Sequence, residues 1–129
     1  MTWQILEGEN YIPVTLIEAA ERVDSGSIYA QHWIEFDGSE LIEELPAEQA
    51  KVTNALCRWF INNYPESAQQ GRVQEGEESF YERRLPQYSE LDPHKTISEQ
   101  FNLLRVVDNA RYPAFFKLNG LTYNLSIQK

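Results

Sequence analysis

The sequence predicts an α+β domain, and three observations carry that prediction. Two runs, 12–17 and 28–36, are rich in β-branched and aromatic residues and are separated by a polar loop. Residues 46–63 place Val52, Leu56, Trp59 and Phe60 on one face at helical spacing. Near the end, Asn119-Gly120 separates two apolar runs. That dipeptide is a strong short hairpin signal, because both central residues of a type I′ turn take positive φ.

The elements follow in order. Trp3, Ile5 and Leu6 read as the end of an apolar helix closed by Gly8. Nothing before Trp3 supplies a helix start, so the chain reads as a piece of something longer. The run 12–17 reads as a strand, and Pro13 puts its start at an edge or at the first strand position. The loop 19–26 holds Asp24, Ser25 and Gly26. In the strand 28–36, Ile28, Ala30, His32, Ile34 and Phe36 share the apolar face, and Asp37-Gly38-Ser39 ends it with turn chemistry. Pro46 suits the first turn of the next helix, and Tyr64-Pro65 ends it. The polar, Gln-rich stretch 66–76 reads as a mobile connection, 79–85 as a short strand and 86–93 as a loop. Thr96-Ile97-Ser98-Glu99 has the form of a capping box, which opens a helix over about 97–108. Strands at 114–118 and 121–128 flank Asn119-Gly120.

The composition narrows the function classes. A chain of 129 residues fits one domain, which typically has about 100–200. Acids outnumber bases 20 to 11, a net charge of −9. Phosphate neutralisation needs clustered cations, so nucleic acid and anionic membrane are disfavoured as partners. No apolar run approaches the roughly 18 residues of a membrane-spanning helix. The N-terminus lacks the pattern of a secretory signal, and the single cysteine, Cys57, cannot form an internal disulfide. A cytoplasmic location is the expectation. No Cys/His cluster has metal spacing.

No complete catalytic constellation is present. Cys57 reads as a packed thiol on a core-like helix, or as half of a Cys–His nucleophilic pair. His32 reads as a core or half-buried histidine on its strand's apolar face, or as a functional one; His94 reads as solvated. Asp24 sits in a loop between strands, where α/β proteins place reactive groups and where aspartate is also an ordinary turn residue. The doublet Arg83-Arg84 reads as a partner of Glu77, Glu78 and Glu82, or as an anion site.

Four stretches in order carry a family resemblance: Trp3-Gln4-Ile5-Leu6-Glu7-Gly8-Glu9, Val14-Thr15-Leu16, and Arg22-Val23-Asp24-Ser25-Gly26-Ser27-Ile28, then Arg83-Arg84-Leu85-Pro86-Gln87-Tyr88-Ser89-Glu90-Leu91. Leu103-Leu104-Arg105 and Tyr112-Pro113-Ala114-Phe115 extend it. Together they resemble the folate-dependent formyltransferases, which include methionyl-tRNA formyltransferase and the sugar N-formyltransferases. The resemblance implies the C-terminal part of a mixed sheet with two main helices and a C-terminal β-hairpin. Residues 1–65 would complete a catalytic domain, and 66–129 would form a helix-and-hairpin subdomain packed with it as one unit.

The resemblance also implies a cofactor, 10-formyltetrahydrofolate, and a catalytic set of Asn, His and Asp. Only the Asp has a match, Asp24; the Asn and the His-x-Ser-x-Leu-Pro segment do not occur in this sequence. Val23, Asp24 and Gly26 would line the folate side, and Arg83, Arg84 and Arg105 would meet substrate phosphate. The acidic charge favours a sugar nucleotide over tRNA. The chain alone is expected to be an inactive, truncated formyltransferase that self-associates or needs an N-terminal half. Two other readings stand beside this one: a non-catalytic assembly module that uses an exposed sheet edge, and a small α+β domain outside the family.

Overall fold

A computed structural model describes residues 1–76 and 79–129. The order of elements is α1 (Thr2–Leu6), β1 (Tyr11–Ile17), β2 (Ile28–Glu35), α2 (Leu45–Asn62), α3 (Glu66–Gln69), α4 (Phe101–Arg105), β3 (Ala114–Leu118) and β4 (Leu121–Leu125), with 3-10 turns at Pro86–Ser89 and Ser98–Gln100. The class is α+β, as expected. The strands form two antiparallel pairs, β1–β2 and β3–β4.

The elements group into two compact units. Unit 1 comprises Met1–Asn10, Phe36–Leu45 and Phe80–Lys129; unit 2 comprises Tyr11–Glu35 and Pro46–Ser79. Each unit therefore draws on both sides of position 65.

In unit 1 the core is Leu91, Leu104, Val107 and Ala114, with Phe101, Phe116, Leu125 and Ile127 packed against it. Local chemistry sets its frame. Helix α1 ends as its glycine requires: Gly8 has φ +89°, its N–H reaches the Ile5 carbonyl, and the Glu9 N–H reaches that of Gln4 at 2.8 Å. This is a Schellman closure, which satisfies carbonyls that a helix end leaves unpaired. The Asn119-Gly120 turn has φ +52° and +78°, and Leu118 pairs with Leu121 across it. The C-terminal segment is fastened where the Asn109 side chain donates to the Ile127 carbonyl at 2.8 Å and accepts from its N–H at 3.1 Å.

The capping box forms: the Glu99 N–H donates to Thr96 Oγ1 at 3.2 Å, and the Thr96 N–H donates to Glu99 Oε2 at 2.8 Å. The helix behind it is shorter than expected. Three 3-10 residues precede α4, which stops at Arg105, and Asp108 then accepts the N–H groups of Ala110 and Arg111, both at 2.9 Å. The stretch 79–85, expected as a strand, has no ladder. Its backbone is engaged by side chains instead. The Trp3 indole donates to the Glu82 carbonyl at 3.0 Å. The same ring stacks on Tyr81 at 6.0 Å and meets Tyr88 edge-on at 5.7 Å.

Carboxyls lowered on folding make stability depend on acid, Asp108 and Glu99 among them. The backbone N–H of Arg111, then that of Ala110, holds Asp108 below its usual value, and the backbone N–H of Thr96 does most to lower Glu99. A carboxyl lowered on folding binds its proton more readily in the unfolded chain. Its stabilisation is therefore complete above the ordinary carboxylate value of about 4 and lost as pH falls through the lower folded value. Asp108→Asn keeps an acceptor and removes the titration, so its urea midpoint should fall less steeply than the parent's below about pH 4. Parallel curves would reject this assignment.

In unit 2, β1 and β2 pair from Tyr11 with Glu35 to Ile17 with Ile28, with a bulge at Leu16/Ile17. Ile12 and Ile34 are partners in the ladder and both are buried. Helix α2 buries Leu56 and half-buries Val52, Trp59 and Phe60, and Phe60 meets Tyr29 at 5.1 Å. The stretch 66–76, expected as a mobile connection, contains α3, and the buried Ser67 hydroxyl donates to the Phe60 carbonyl at 2.8 Å. Beyond it, Arg72 and Ile28 exchange backbone hydrogen bonds at 2.8 and 3.0 Å.

Candidate functional site

The loop between β1 and β2 is a constructed turn. The Glu18 N–H donates to the Ser27 carbonyl at 2.8 Å and continues the pairing past the strand end. Ser25 Oγ donates to the Arg22 carbonyl at 2.8 Å. Asp24 takes φ +58°, a conformation in which Asp and Asn are enriched among non-glycine residues. Gly26 is required for another reason: a Cβ there would lie 1.9 Å from the Glu18 carbonyl oxygen. The Asp-x-Gly spacing is thus a left-handed residue followed by a close backbone approach. Gln74 completes the turn, its Nε2 donating at 2.7 Å to the carbonyls of both Asp24 and Gly26. Sequence reading missed Gln74, since its contact spans about fifty positions and a glutamine in a polar stretch carries no signal.

The chemistry this loop offers is a solvent-facing carboxylate at Asp24 beside Val23, which is 84% exposed. Neither His32 nor His94 hydrogen-bonds to it among the described residues. His32, expected on a buried strand face, is exposed, because only the Ile34 end of that face is buried in β2. Cys57, expected as a packed thiol, is exposed. It sits one position past Leu56, which turns it about 100° away from the buried face of α2.

The three arginines singled out in the sequence all lie in unit 1, and their environments differ. Arg105 is fully buried. Its Nη2 pairs with Glu40 Oε2 at 3.0 Å, its Nη1 with Asn10 Oδ1 at 2.7 Å and Asn102 Oδ1 at 3.2 Å, and its Nε with the Glu40 carbonyl at 3.2 Å. The guanidinium also lies 6.0 Å from the Phe36 ring centroid. Arg105 was expected to meet a substrate phosphate; its donors are instead spent inside the chain, where they hold the fold.

Arg83 is exposed. Arg84 is half-buried and donates to the Val106 carbonyl and, at 3.3 Å, to Ser89 Oγ. Its Nε is buried without a partner among the described residues. An unsatisfied buried donor costs about 1–3 kcal/mol, and burial also pushes the Arg84 guanidinium below its usual value. No ion pair joins Arg83 or Arg84 to Glu82 among the described residues. The expected pairing with Glu77 and Glu78 lies outside the described residues.

No protein-family model matches this sequence. The fold does have counterparts among solved structures. It is similar to methionyl-tRNA formyltransferase from Clostridium thermocellum, with a TM-score of 0.73 at 21% identity over 98% of this chain and 54% of that one. A candidate sugar N-formyltransferase from Mycobacterium tuberculosis gives 0.72 at 17% identity, over 98% of this chain and 56% of that one. HypX from Aquifex aeolicus gives 0.58 at 17%, over 98% of this chain and 22% of the other. The chain therefore has the fold of part of a formyltransferase, as the motifs imply. It spans about half the length of the first two proteins. Among the described residues no helix is long and apolar enough to cross a membrane.

Proposed function

We propose that this chain is the C-terminal portion of a formyl-transfer architecture, related to enzymes that act on a sugar-nucleotide amine or methionyl-tRNA, and that alone it transfers no formyl group. The loop at Asp24 is the observation that carries the reading. Its left-handed Asp24, its glycine closed against Glu18 and its clamp from Gln74 make a rigid rim rather than a random turn. Val23, Asp24 and Gly26 fit 10-formyltetrahydrofolate as one wall of a pocket: an apolar side chain beside backbone and a carboxylate, open on the other side. Bound there, the cofactor supplies the formyl group.

Inactivity follows from the missing partners. Attack of an amine on a formyl carbon creates an oxyanion that needs fixed donors and a proton relay. Asp24 could orient a histidine, but neither His32 nor His94 is hydrogen-bonded to it among the described residues. Loss of one oxyanion donor costs a factor of about 10²–10³, and here both the Asn and the His are missing from the sequence. On the acceptor side, Arg83 and Arg84 suit a substrate oxyanion, and Arg105 supports the segment behind them.

Two assays test the reading with the intact chain. Folate titration should give weak, saturable binding with amide shifts confined to the region 22–27 and Gln74. Incubation with 10-formyltetrahydrofolate and an amino-sugar nucleotide should give no product above background. Turnover would overturn the inactivity, and absence of folate binding would overturn the loop assignment. The second outcome would favour an assembly module, which one further feature supports: among the described residues β1 has β2 as its only strand neighbour, and the far side of β2 is bridged only at Ile28, by Arg72. Light scattering across a concentration series would then report self-association.

A further inference from the structure

Unit 1 holds an open cavity of about 420 Å³ whose lining includes Trp3, Ile42 and Tyr112 together with Arg84, Asp108 and Arg111. Such a volume lies in the range of small-molecule sites, where an apolar lining carries a few convergent polar groups. The polar groups here are unbalanced. Arg84 spends two donors on neutral acceptors, the Val106 carbonyl and Ser89 Oγ. Its Nε has no partner, and no carboxylate pairs with it among the described residues. Ser89 is itself fully buried and donates to the Tyr112 carbonyl at 3.3 Å, so the guanidinium is held in place by groups that do not neutralise it. Arg111 has an exposed side chain, and its Nε stands 4.0 Å from Asp108 Oδ2, the outer limit of an ion pair. Asp108 Oδ1 is occupied by the N–H groups of Ala110 and Arg111, which leaves Oδ2 as the oxygen that faces Arg111. In a protein of net charge −9, a half-buried cation without a carboxylate calls for an explanation.

We propose that this cavity binds the oxyanion of a small molecule, a phosphate or a carboxylate, between Arg84 and Arg111, with the apolar part of the ligand along Trp3 and Ile42. Arginine suits this role because its planar fork matches the geometry of both groups. Arg111 was not singled out by any sequence motif. The inference deepens the acceptor side of the function proposed above and rests on that reading only for what the ligand is; the binding itself stands on the cavity.

The test is an NMR titration of the intact chain with sodium pyrophosphate and, separately, citrate, at ionic strength matched with sodium chloride. Saturable shifts are expected at Arg84, Val106, Arg111 and Tyr112. Arg111→Gln should weaken binding at least about fivefold, and Arg84→Lys similarly, because the fork is lost. Lys51→Gln removes the same charge from the other unit and should change affinity less than about twofold. Saturation by pyrophosphate only assigns a phosphate ligand, by citrate only a carboxylate, and by both an oxyanion of either kind. Failure of both to saturate, or equal effects of Arg111→Gln and Lys51→Gln, overturns the proposal. If Arg84→Lys loses amide dispersion, the solvent-facing Arg111→Gln decides. Oxyanion binding without folate binding would leave this site standing and remove the Asp24 assignment.

Discussion

Arg105→Ala is expected to destabilise the protein by about 3 kcal/mol, read as a lower urea midpoint at unchanged slope. The guanidinium is fully buried, and the Glu40 side chain is 16% exposed. Truncation leaves that carboxylate with the N–H groups of Asp37 and Gly38, at 2.8 and 3.2 Å, but without a cation. It also strands the side-chain oxygens of Asn10 and Asn102. Arg105→Lys should recover only part of the loss, since an ammonium has three donors and cannot replace a planar guanidinium that serves four acceptor oxygens. The double variant Arg105→Met with Glu40→Gln should be less destabilised than the two single effects added, because the uncompensated charge is gone. A loss below about 0.5 kcal/mol for Arg105→Ala would place the residue among ordinary surface positions.

Gly26→Ala is the second large effect. The added Cβ would meet the Glu18 carbonyl oxygen at 1.9 Å, and no rotamer choice relieves a backbone clash. The end of β1 or the loop must move, at about 1–3 kcal/mol, and the Glu18–Ser27 hydrogen bond is the first to open. Hydrogen exchange at the Glu18 amide should accelerate, and folate binding, if the proposed function is right, should be lost. Gly71→Ala is the comparison: its Cβ would meet Ser27 Cβ at 3.1 Å and a Tyr29 ring carbon at 3.2 Å, contacts relieved by far smaller movements than the one at Gly26. Equal effects at the two glycines would show that the close approach at Gly26 is not what the loop depends on.

Much of the architecture was legible because it is written in local chemistry. The Asn119-Gly120 turn, the Thr96–Glu99 box and the Gly8 closure each specify their own backbone within a few residues. The apolar face of α2 needs only helical periodicity. What was not legible depends on distant partners. The stretch 79–85 reads as a short strand, but Trp3 takes the Glu82 carbonyl that a ladder would have used. Burial of Arg105 could not be read from the most hydrophilic of side chains, since Asn10 and Glu40 lie far off in sequence. Cys57 and His32 were expected on buried faces, yet Cys57 points off the buried face of α2 and full burial within β2 is confined to Ile34. At the candidate site the same division holds. The Asp-x-Gly pattern announces a turn, whereas the Gln74 clamp and the isolation of the Arg84 charge exist only in three dimensions.

The Arg105 cluster has a kinetic consequence. Its partners come from all three stretches that build unit 1: Asn10 from the first, Glu40 from the second and Asn102 from the third. The guanidinium can engage all of them only after the chain has closed two long excursions, through 11–35 and 46–79, each with its entropic cost. The cluster is therefore a late-forming latch rather than part of a folding nucleus. Loosening it should hasten the escape from the native state while leaving the rate of reaching that state almost untouched.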